Sequence, residues 1–250
     1  MMVSYNELFS AVEKAFRGEL RLCGEADIIA AMVVDLQMLG LDGIRQFNQA
    51  SRCYGWGPDN AMQYRDVNDN QLSFDLDYGS LACHFPVVID VAIGRLTRAE
   101  SLFIRIARCN HPWFIHGELI QLAAKGKASR ASWFDKDSAR QIFYVLNSGQ
   151  AAPEITYKNT TENYRSMGDI VDIEISGSDF ELPKDEMEAS CHIHSHQLLA
   201  TKELACRDGI FVEDAEWQYL VSQSKRNLVA TNERSEKGAG ETSAKPEWTS

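Results

Sequence analysis

The first apolar stripe along the chain predicts a helix close to the N-terminus. Ser4 stands where a helix N-cap is expected, and Glu7 lies at the reciprocal position of a capping box. Behind them, apolar residues recur at the three- and four-residue spacing of a buried helix face. These residues are Leu8, Val12, Ala15 and Phe16.

Two further stripes extend this helical region. Apolar residues follow helical spacing from about 25 to 39, and Gly40 suits the position just after a helix end. Ile44 and Phe47 indicate a short third helix. Residues 1–50 are therefore predicted to form a helical unit.

Beyond this unit, alternating apolar and polar residues predict strands. The segments with a strand pattern are 72–76, 102–106, 130–134, 142–146, 154–158 and 170–176. A helix is predicted from Pro86 to about Glu100, and another from Glu213 to Arg226. The sequence thus predicts an α+β fold with an N-terminal helical unit, a mixed central β-sheet, a C-terminal helix and a disordered tail.

Composition divides the rest of the chain into a body and a tail. Residues 51–237 are predicted to form one α+β body, in which the loop-rich segment 51–70 is long enough to be a functional flap. Residues 238–250 are rich in Gly, Ser, Thr, Lys and Glu, which predicts a disordered tail.

Charge excludes one class of partner. The chain carries 36 acidic and 25 basic side chains, and its net charge of −11 would repel a phosphate backbone. Its densest basic stretch, Lys125, Lys127 and Arg130, is short and has no interleaved aromatic residues. We therefore expect a protein partner or a small molecule and no nucleic acid, with a homo-oligomer left open.

The chain shows no sign of export or of membrane insertion. Its first residues lack the basic start and apolar block of a signal peptide. The most apolar segment, 28–34, has seven residues, whereas a membrane span needs about 20. Six scattered cysteines without a Cys-x-x-Cys pair are typical of free thiols. These features predict a cytoplasmic protein that does not bind a membrane.

A cluster of imidazoles near the C-terminus is the first candidate site. His192, His194 and His196 stand two residues apart, and neutral imidazoles are common ligands of zinc and other divalent metals. On a strand all three would face one way. On a helix only the first and the last would share a face. The alternative is a solvated, histidine-rich loop that binds no metal.

The segment CNHPWFIHG offers a second candidate site. Cys109 and His111 or His116 could form a nucleophile and its base, if an acid oriented the histidine. No local signature supports that pair. We favour the interpretation that residues 113–115 pack in the core and that the two histidines flank this packing. Fingerprints such as Gly-x-Gly-x-x-Gly and Gly-x-Ser-x-Gly are absent from the sequence.

The two ends of the chain resemble the bacterial domain-of-unknown-function family 3726. Members of that family open with a Val-Ser-x-x-Glu helix and an Ala-x-Arg-Gly segment, and close with a Trp-x-x-Leu helix and Gly-Ala-Gly. The matching residues here are Val3, Ser4, Glu7, Ala15, Arg17, Gly18, Trp217, Leu220, Gly238, Ala239 and Gly240. The resemblance implies no activity.

Residues 26–47 are similar to the N-terminal helix of the malate and lactate dehydrogenase family that lacks a Rossmann fold. In that family the helix runs into a Ser-His-Gly turn whose histidine is catalytic. Here Asp42 directly precedes Gly43, and the Ser-His pair is missing. We interpret the likeness as shared helical packing without dehydrogenase activity.

Two functions follow from the sequence. The first is a cytoplasmic accessory protein that binds a partner or a small ligand. The alternative is a metal-dependent enzyme, a hydrolase, built around His192, His194 and His196. Stoichiometric metal in the purified protein would distinguish the two.

Overall fold

The computed structural model describes residues 1–19, 23–54, 56, 62–96, 100–136, 138–159, 169–181 and 191–227. In these ranges the α-helices are α1 (Tyr5–Arg17), α2 (Cys23–Met38), α3 (Gly43–Gln49), α4 (Leu81–Leu96), α5 (Ile115–Ala124), α6 (Ser195–Asp208) and α7 (Asp214–Ser224). The strands are β1 (Met2–Val3), β2 (Gln63–Asn68), β3 (Gln71–Ser80), β4 (Ser101–Asn110), β5 (Ala128–Asp135), β6 (Arg140–Leu146), β7 (Glu154–Asn159), β8 (Ile170–Ser176), β9 (Cys191–Ile193) and β10 (Ile210–Phe211). The predicted α+β class is confirmed.

One mixed sheet of eight strands organises the described part of the molecule. Its order is β2-β3-β4-β8-β5-β6-β7-β9, and a two-stranded sheet pairs β1 with β10. Strands β3 and β4 are parallel and are joined through α4, whereas the other neighbours are antiparallel. The sheet therefore contains one β-α-β unit, whose two strands end at the same edge.

Side-chain alternation explains how this sheet is layered. Ile104 of β4 lies opposite Ile173 of β8, and both are buried, whereas the next pair, Arg105 and Asp172, lies on the other face and forms a bidentate ion pair. Helices α4 and α5 pack on the apolar side of the sheet. The core continues from there into the packing of α1, α2, α3 and α7.

The predicted start of the first helix is confirmed. Ser4 has the extended backbone of an N-cap, and Glu7 accepts a hydrogen bond of 2.8 Å from the Ser4 amide. The Glu7 amide in turn donates to Ser4 Oγ at 3.3 Å. Both partners of the capping box are therefore present, and α1 ends near Gly18 as predicted.

Removal of this cap is expected to cost a modest amount of stability. Ser4→Ala takes away a side-chain acceptor of the first turn, so the free energy of unfolding should fall by about 1 kcal/mol in urea titration. Ser4→Asp keeps an acceptor and serves as the control, which should stay close to the wild type. Equal stability of the Ser4→Ala variant and the wild type would show that the cap contributes nothing.

Two local predictions require correction. The fourth helix begins at Leu81 instead of Pro86, and the proline lies inside the helix. Part of the predicted loop 51–70 forms the edge strand β2. Every residue of β2 is exposed, so its sequence carries no alternation that would mark a strand.

The predicted tail, residues 238–250, lies outside the described residues. None of the helices within the described ranges combines the length and the apolar character needed to cross a membrane.

Candidate active site

A cleft opens where several strands of the large sheet end. It is lined by the last residues of β4 and β5, the first residues of β8 and the turn that follows β4. From the helical side, Gln46 and Gln49 of α3 complete it. With the solvent at its mouth the cleft has a volume of about 820 Å³. Ligand sites of sheets that contain parallel strands commonly lie at the carboxyl ends of those strands, as this cleft does at β4.

The backbone is unusual at the same edge of the sheet. Five residues other than glycine adopt positive φ angles around the ends of β3 and β4 and the start of β8. They are Asp77 (48°), Tyr78 (66°), Arg108 (47°), His111 (59°) and Asp169 (76°). Residues in this conformation each cost on the order of 1 kcal/mol and concentrate at functional sites. Their clustering supports a binding or catalytic role for this edge.

His111 is the titratable side chain at the centre of this region. It follows β4 directly and lines the cleft. Its Nδ1 lies 2.8 Å from the hydroxyl oxygen of Ser80, the fully buried last residue of β3. The ring also packs beside Trp56 and Phe114. The parallel pairing of β3 and β4 therefore brings together a histidine and a serine that stand 31 residues apart.

Burial fixes the charge state of this histidine. Desolvation lowers the pKa of His111 to about 4, so the ring is neutral at pH 7. Ser80 Oγ accepts a hydrogen bond of 3.2 Å from the Ala82 amide, and its second lone pair can accept another from the Nδ1–H group of His111. In that tautomer Nε2 carries the lone pair that can accept a proton.

The neighbouring thiol is not an activated nucleophile. Cys109 is buried, and its Sγ lies 3.5 Å from the carbonyl oxygen of Asp169. Burial raises the pKa of the thiol to about 12, so the reactive thiolate is absent at neutral pH. The geometry thus gives no support to the cysteine–histidine nucleophile.

His116 has a structural environment. It is completely buried in α5, and its Nδ1 lies 2.8 Å from the hydroxyl oxygen of Tyr144 on β6. Burial lowers the pKa of His116 to about 4 and raises that of Tyr144. Residues 113–115 are buried around it, as the packing interpretation predicts.

A second hollow adjoins the cleft on the side of α3. Gln46, Trp113 and Asp135 line both spaces. Asp42 and Arg45 line the second hollow only, and Asp42 has a left-handed backbone with φ of 52°. The position at which the dehydrogenase resemblance has its catalytic Ser-His turn therefore lies next to the cleft.

The histidine cluster is only partly assembled as predicted. His192 Nε2 lies 2.9 Å from a carboxylate oxygen of Glu154, and His194 Nδ1 lies 3.2 Å from the same atom. These three side chains place their potential ligand atoms within 4.8 Å of one another. His196 stacks on His194 but lies outside that group. The assignment of the three histidines as metal ligands stays a prediction.

Neither predicted backbone for the histidine segment is right. His192 lies on β9, His194 is the N-cap of α6, and His196 is in the first turn of that helix. Where the chain changes from strand to helix, Glu154 accepts a hydrogen bond of 3.0 Å from the Ser195 amide, which stabilises the helix start. Glu154 stands on β7, 38 residues from His192, so no local sequence signal pointed to it.

Comparison with protein families gives one match. The model of a family described as "Protein of unknown function (DUF3726)" matches residues 3–80. The family resemblance is confirmed for this part of the chain. No curated protein matches the sequence.

Comparison with solved structures reveals the fold. A dehydrogenase from Sinorhizobium meliloti has a TM-score of 0.65 at 10% identity and covers 90% of this chain and 99% of its own. Malate dehydrogenase from Pyrococcus horikoshii OT3 has a TM-score of 0.65 at 12% identity and covers 90% of this chain and 95% of its own. Delta1-piperideine-2-carboxylate reductase from Pseudomonas syringae pvar. tomato has a TM-score of 0.58 at 11% identity and covers 89% of this chain and 99% of its own. The chain has the fold of these proteins.

These neighbours correct three predictions. The likeness in fold to these dehydrogenases covers 90% of the chain, so it extends beyond the shared helical packing that the sequence indicated. The accessory-protein function and the metal-dependent hydrolase are also overturned, since the neighbours are oxidoreductases. The description of the chain as a protein of unknown function that binds metal receives no support from them.

Proposed function

We propose that the protein is an oxidoreductase that interconverts a small 2-hydroxy or 2-amino acid and its oxidised form. Its electron partner is a nicotinamide dinucleotide. The observation that carries the proposal is His111, a neutral and fixed imidazole in a cleft at the carboxyl end of β4. The shared fold supports it, since its solved neighbours are described as dehydrogenases and a reductase.

His111 acts on the proton of the reaction. In the oxidative direction its neutral ring takes the proton from the heteroatom at carbon 2, while the hydride leaves that carbon. In the reductive direction the imidazolium returns the proton. Ser80 keeps the ring in one orientation throughout. A proton-transferring residue is needed at another position, because this chain has Asp42 and Gly43 where the dehydrogenase family that it resembles has its catalytic histidine.

The lining of the cleft fits the nicotinamide end of the dinucleotide. Trp133 and Phe134 provide aromatic surface, and Gln46 and Gln49 carry amides that can pair with the carboxamide. Lys136 forms an ion pair with Asp169, which directly precedes β8. It can exchange this carboxylate for a phosphate group of the dinucleotide. When bound, the dinucleotide accepts or supplies the hydride. The cytoplasmic location predicted from the sequence is kept as part of the proposal.

Binding and turnover test this function. The full chain is titrated with NADH and with NADPH, and binding is followed by the fluorescence of the dinucleotide. Oxidation of the bound form is then measured with pyruvate, oxaloacetate and a cyclic 2-imino acid. His111→Gln should lower kcat/KM by about 100-fold or more, because a positioned proton acceptor is lost.

The matched control is His196→Gln, which alters an exposed histidine on α6. Its kcat/KM should equal that of the wild type. Failure of both dinucleotides to bind, together with no turnover of any of the three acids, would refute the proposed function.

A further inference from the structure

The charged side chains that line the cleft and the adjoining hollow indicate which kind of ligand would bind there. Asp135 at the end of β5 lines both spaces, so the cleft and the hollow adjoin at this side chain. Asp169 and Lys136 form an ion pair and largely cancel each other. The charges left over in the described lining are Asp42, Asp135 and Arg45, two carboxylates and one cation.

These three charges are available to a ligand. Arg45 is exposed and forms no ion pair within the part of the chain that the structure describes. Asp135 accepts hydrogen bonds from the amide and the hydroxyl of Ser138, which orient its carboxylate without neutralising it. Asp42 holds its left-handed backbone beside them at the start of α3.

A second observation concerns Tyr157, on which both carboxylates act. Tyr157 lines the hollow, and its pKa is raised to about 12. Burial is the largest cause, and the negative charges of Asp135 and Asp42 add to it. Both carboxylates therefore influence a side chain of the hollow, and they outnumber Arg45, the one cation in its described lining.

We infer that the substrate is a small amino acid, or the corresponding imino acid, whose nitrogen is cationic. Its carboxylate binds Arg45, and its nitrogen faces Asp135 and Asp42. The inference rests on the proposed function and narrows it. Dicarboxylates and sulfonated acids are excluded, because their second negative group would lie against the two aspartates in a partly desolvated site.

The nitrogen is cationic in the substrate and in the product, and it is a neutral amine between them. In the oxidative direction the ammonium group of the substrate gives one proton to His111. The bond between carbon 2 and its hydrogen then breaks, and the hydride passes to the oxidised dinucleotide. The nitrogen lone pair forms the C=N bond, so an iminium and a reduced dinucleotide result. Asp135 thus faces a positive nitrogen in the substrate and again in the product.

Equilibrium binding tests the inference independently of turnover. The full chain is titrated calorimetrically with L-pipecolate, L-lactate and L-malate, in the presence of the dinucleotide and without it. L-Pipecolate should bind at least about 10-fold more tightly than L-lactate, and L-malate should bind most weakly. Arg45→Gln should weaken the first two ligands to a similar extent, since both carry one carboxylate.

Asp135→Asn identifies the source of the preference. It removes the charge and keeps the shape, so the ratio of the L-pipecolate and L-lactate affinities should fall towards one. Asp208→Asn is the control, because it removes the charge of an exposed carboxylate that lines neither space. This variant should keep the wild-type ratio. Tighter binding of L-malate than of L-pipecolate, or an unchanged ratio in Asp135→Asn, would overturn the inference.

The outcomes separate this inference from the proposed function. The predicted order of affinities without any turnover would retain the substrate class and refute the oxidoreductase. Turnover of pyruvate or oxaloacetate in preference to the cyclic imino acid would retain the oxidoreductase and refute the substrate class.

Discussion

Acidification from pH 7 to pH 4 is expected to remove several kcal/mol of folding free energy through two histidines. His111 and His116 have pKa values lowered by burial from 6.5 to about 4. Between these values the unfolded chain binds protons that the folded chain does not. The stabilisation that depends on these two neutral histidines is therefore fully present above pH 6.5, and it is lost as the pH drops towards 4. Protonation of each histidine lowers the free energy of unfolding by up to about 3 kcal/mol.

Urea unfolding at a series of pH values measures this effect. Carboxylates also titrate in the range, so the informative quantity is the difference between a variant and the wild type. His116→Asn should be less stable at pH 7 and should lose clearly less stability on acidification. His196→Asn is the control, because that histidine is exposed. Parallel pH profiles for His116→Asn and the wild type would contradict the prediction.

Gly43→Ala is expected to destabilise the protein by about 3 kcal/mol or to prevent its folding. A methyl group at this first residue of α3 would overlap the carbonyl oxygen of Val33 and lie 2.9 Å from the amide nitrogen of Gln37. Both atoms belong to the backbone of α2, so no side-chain rotation relieves the clash. Overpacking of this kind typically costs 1–3 kcal/mol and sometimes more.

Gly94→Ala provides the matched control for this substitution. Gly94 lies in α4, and a methyl group there meets no atom within 4 Å. Because alanine favours a helix interior, this variant should be more stable by about 0.5–1 kcal/mol. Thermal and urea unfolding of the two variants give the comparison. Equal stability of Gly43→Ala and the wild type would show that α2 and α3 separate readily.

Local sequence signals predicted the elements that bury one face. The stripe behind Ser4 and the alternation around Ile104 each reflect a side that packs and a side that meets water. The edge strand β2 has no such contrast, so it could not be recognised. The order of the strands was also beyond the sequence, because register depends on partners from distant segments.

The candidate site was hidden for the same reason. His111 was correctly interpreted as a neighbour of packed aromatic residues, yet its partner Ser80 is supplied by the parallel pairing of β3 with β4. Asp135 and Asp42 are unremarkable in their own segments and meet only through the hollow beside α3. The histidine triplet was conspicuous because its members are adjacent in sequence, but adjacency did not place all three in one group.

The cleft is assembled from four separate stretches of the chain, so its occupancy is coupled to the whole sheet. Strands β4, β8 and β5 are consecutive neighbours, and each contributes lining residues. The site exists only while these strands remain paired, so even local fraying of one of them disrupts it. A ligand that binds only the native state therefore stabilises the sheet against cooperative unfolding. At 100 times its Kd such a ligand adds about 2.7 kcal/mol to global stability. Amide hydrogen exchange should consequently slow across the central strands, including positions far from the ligand.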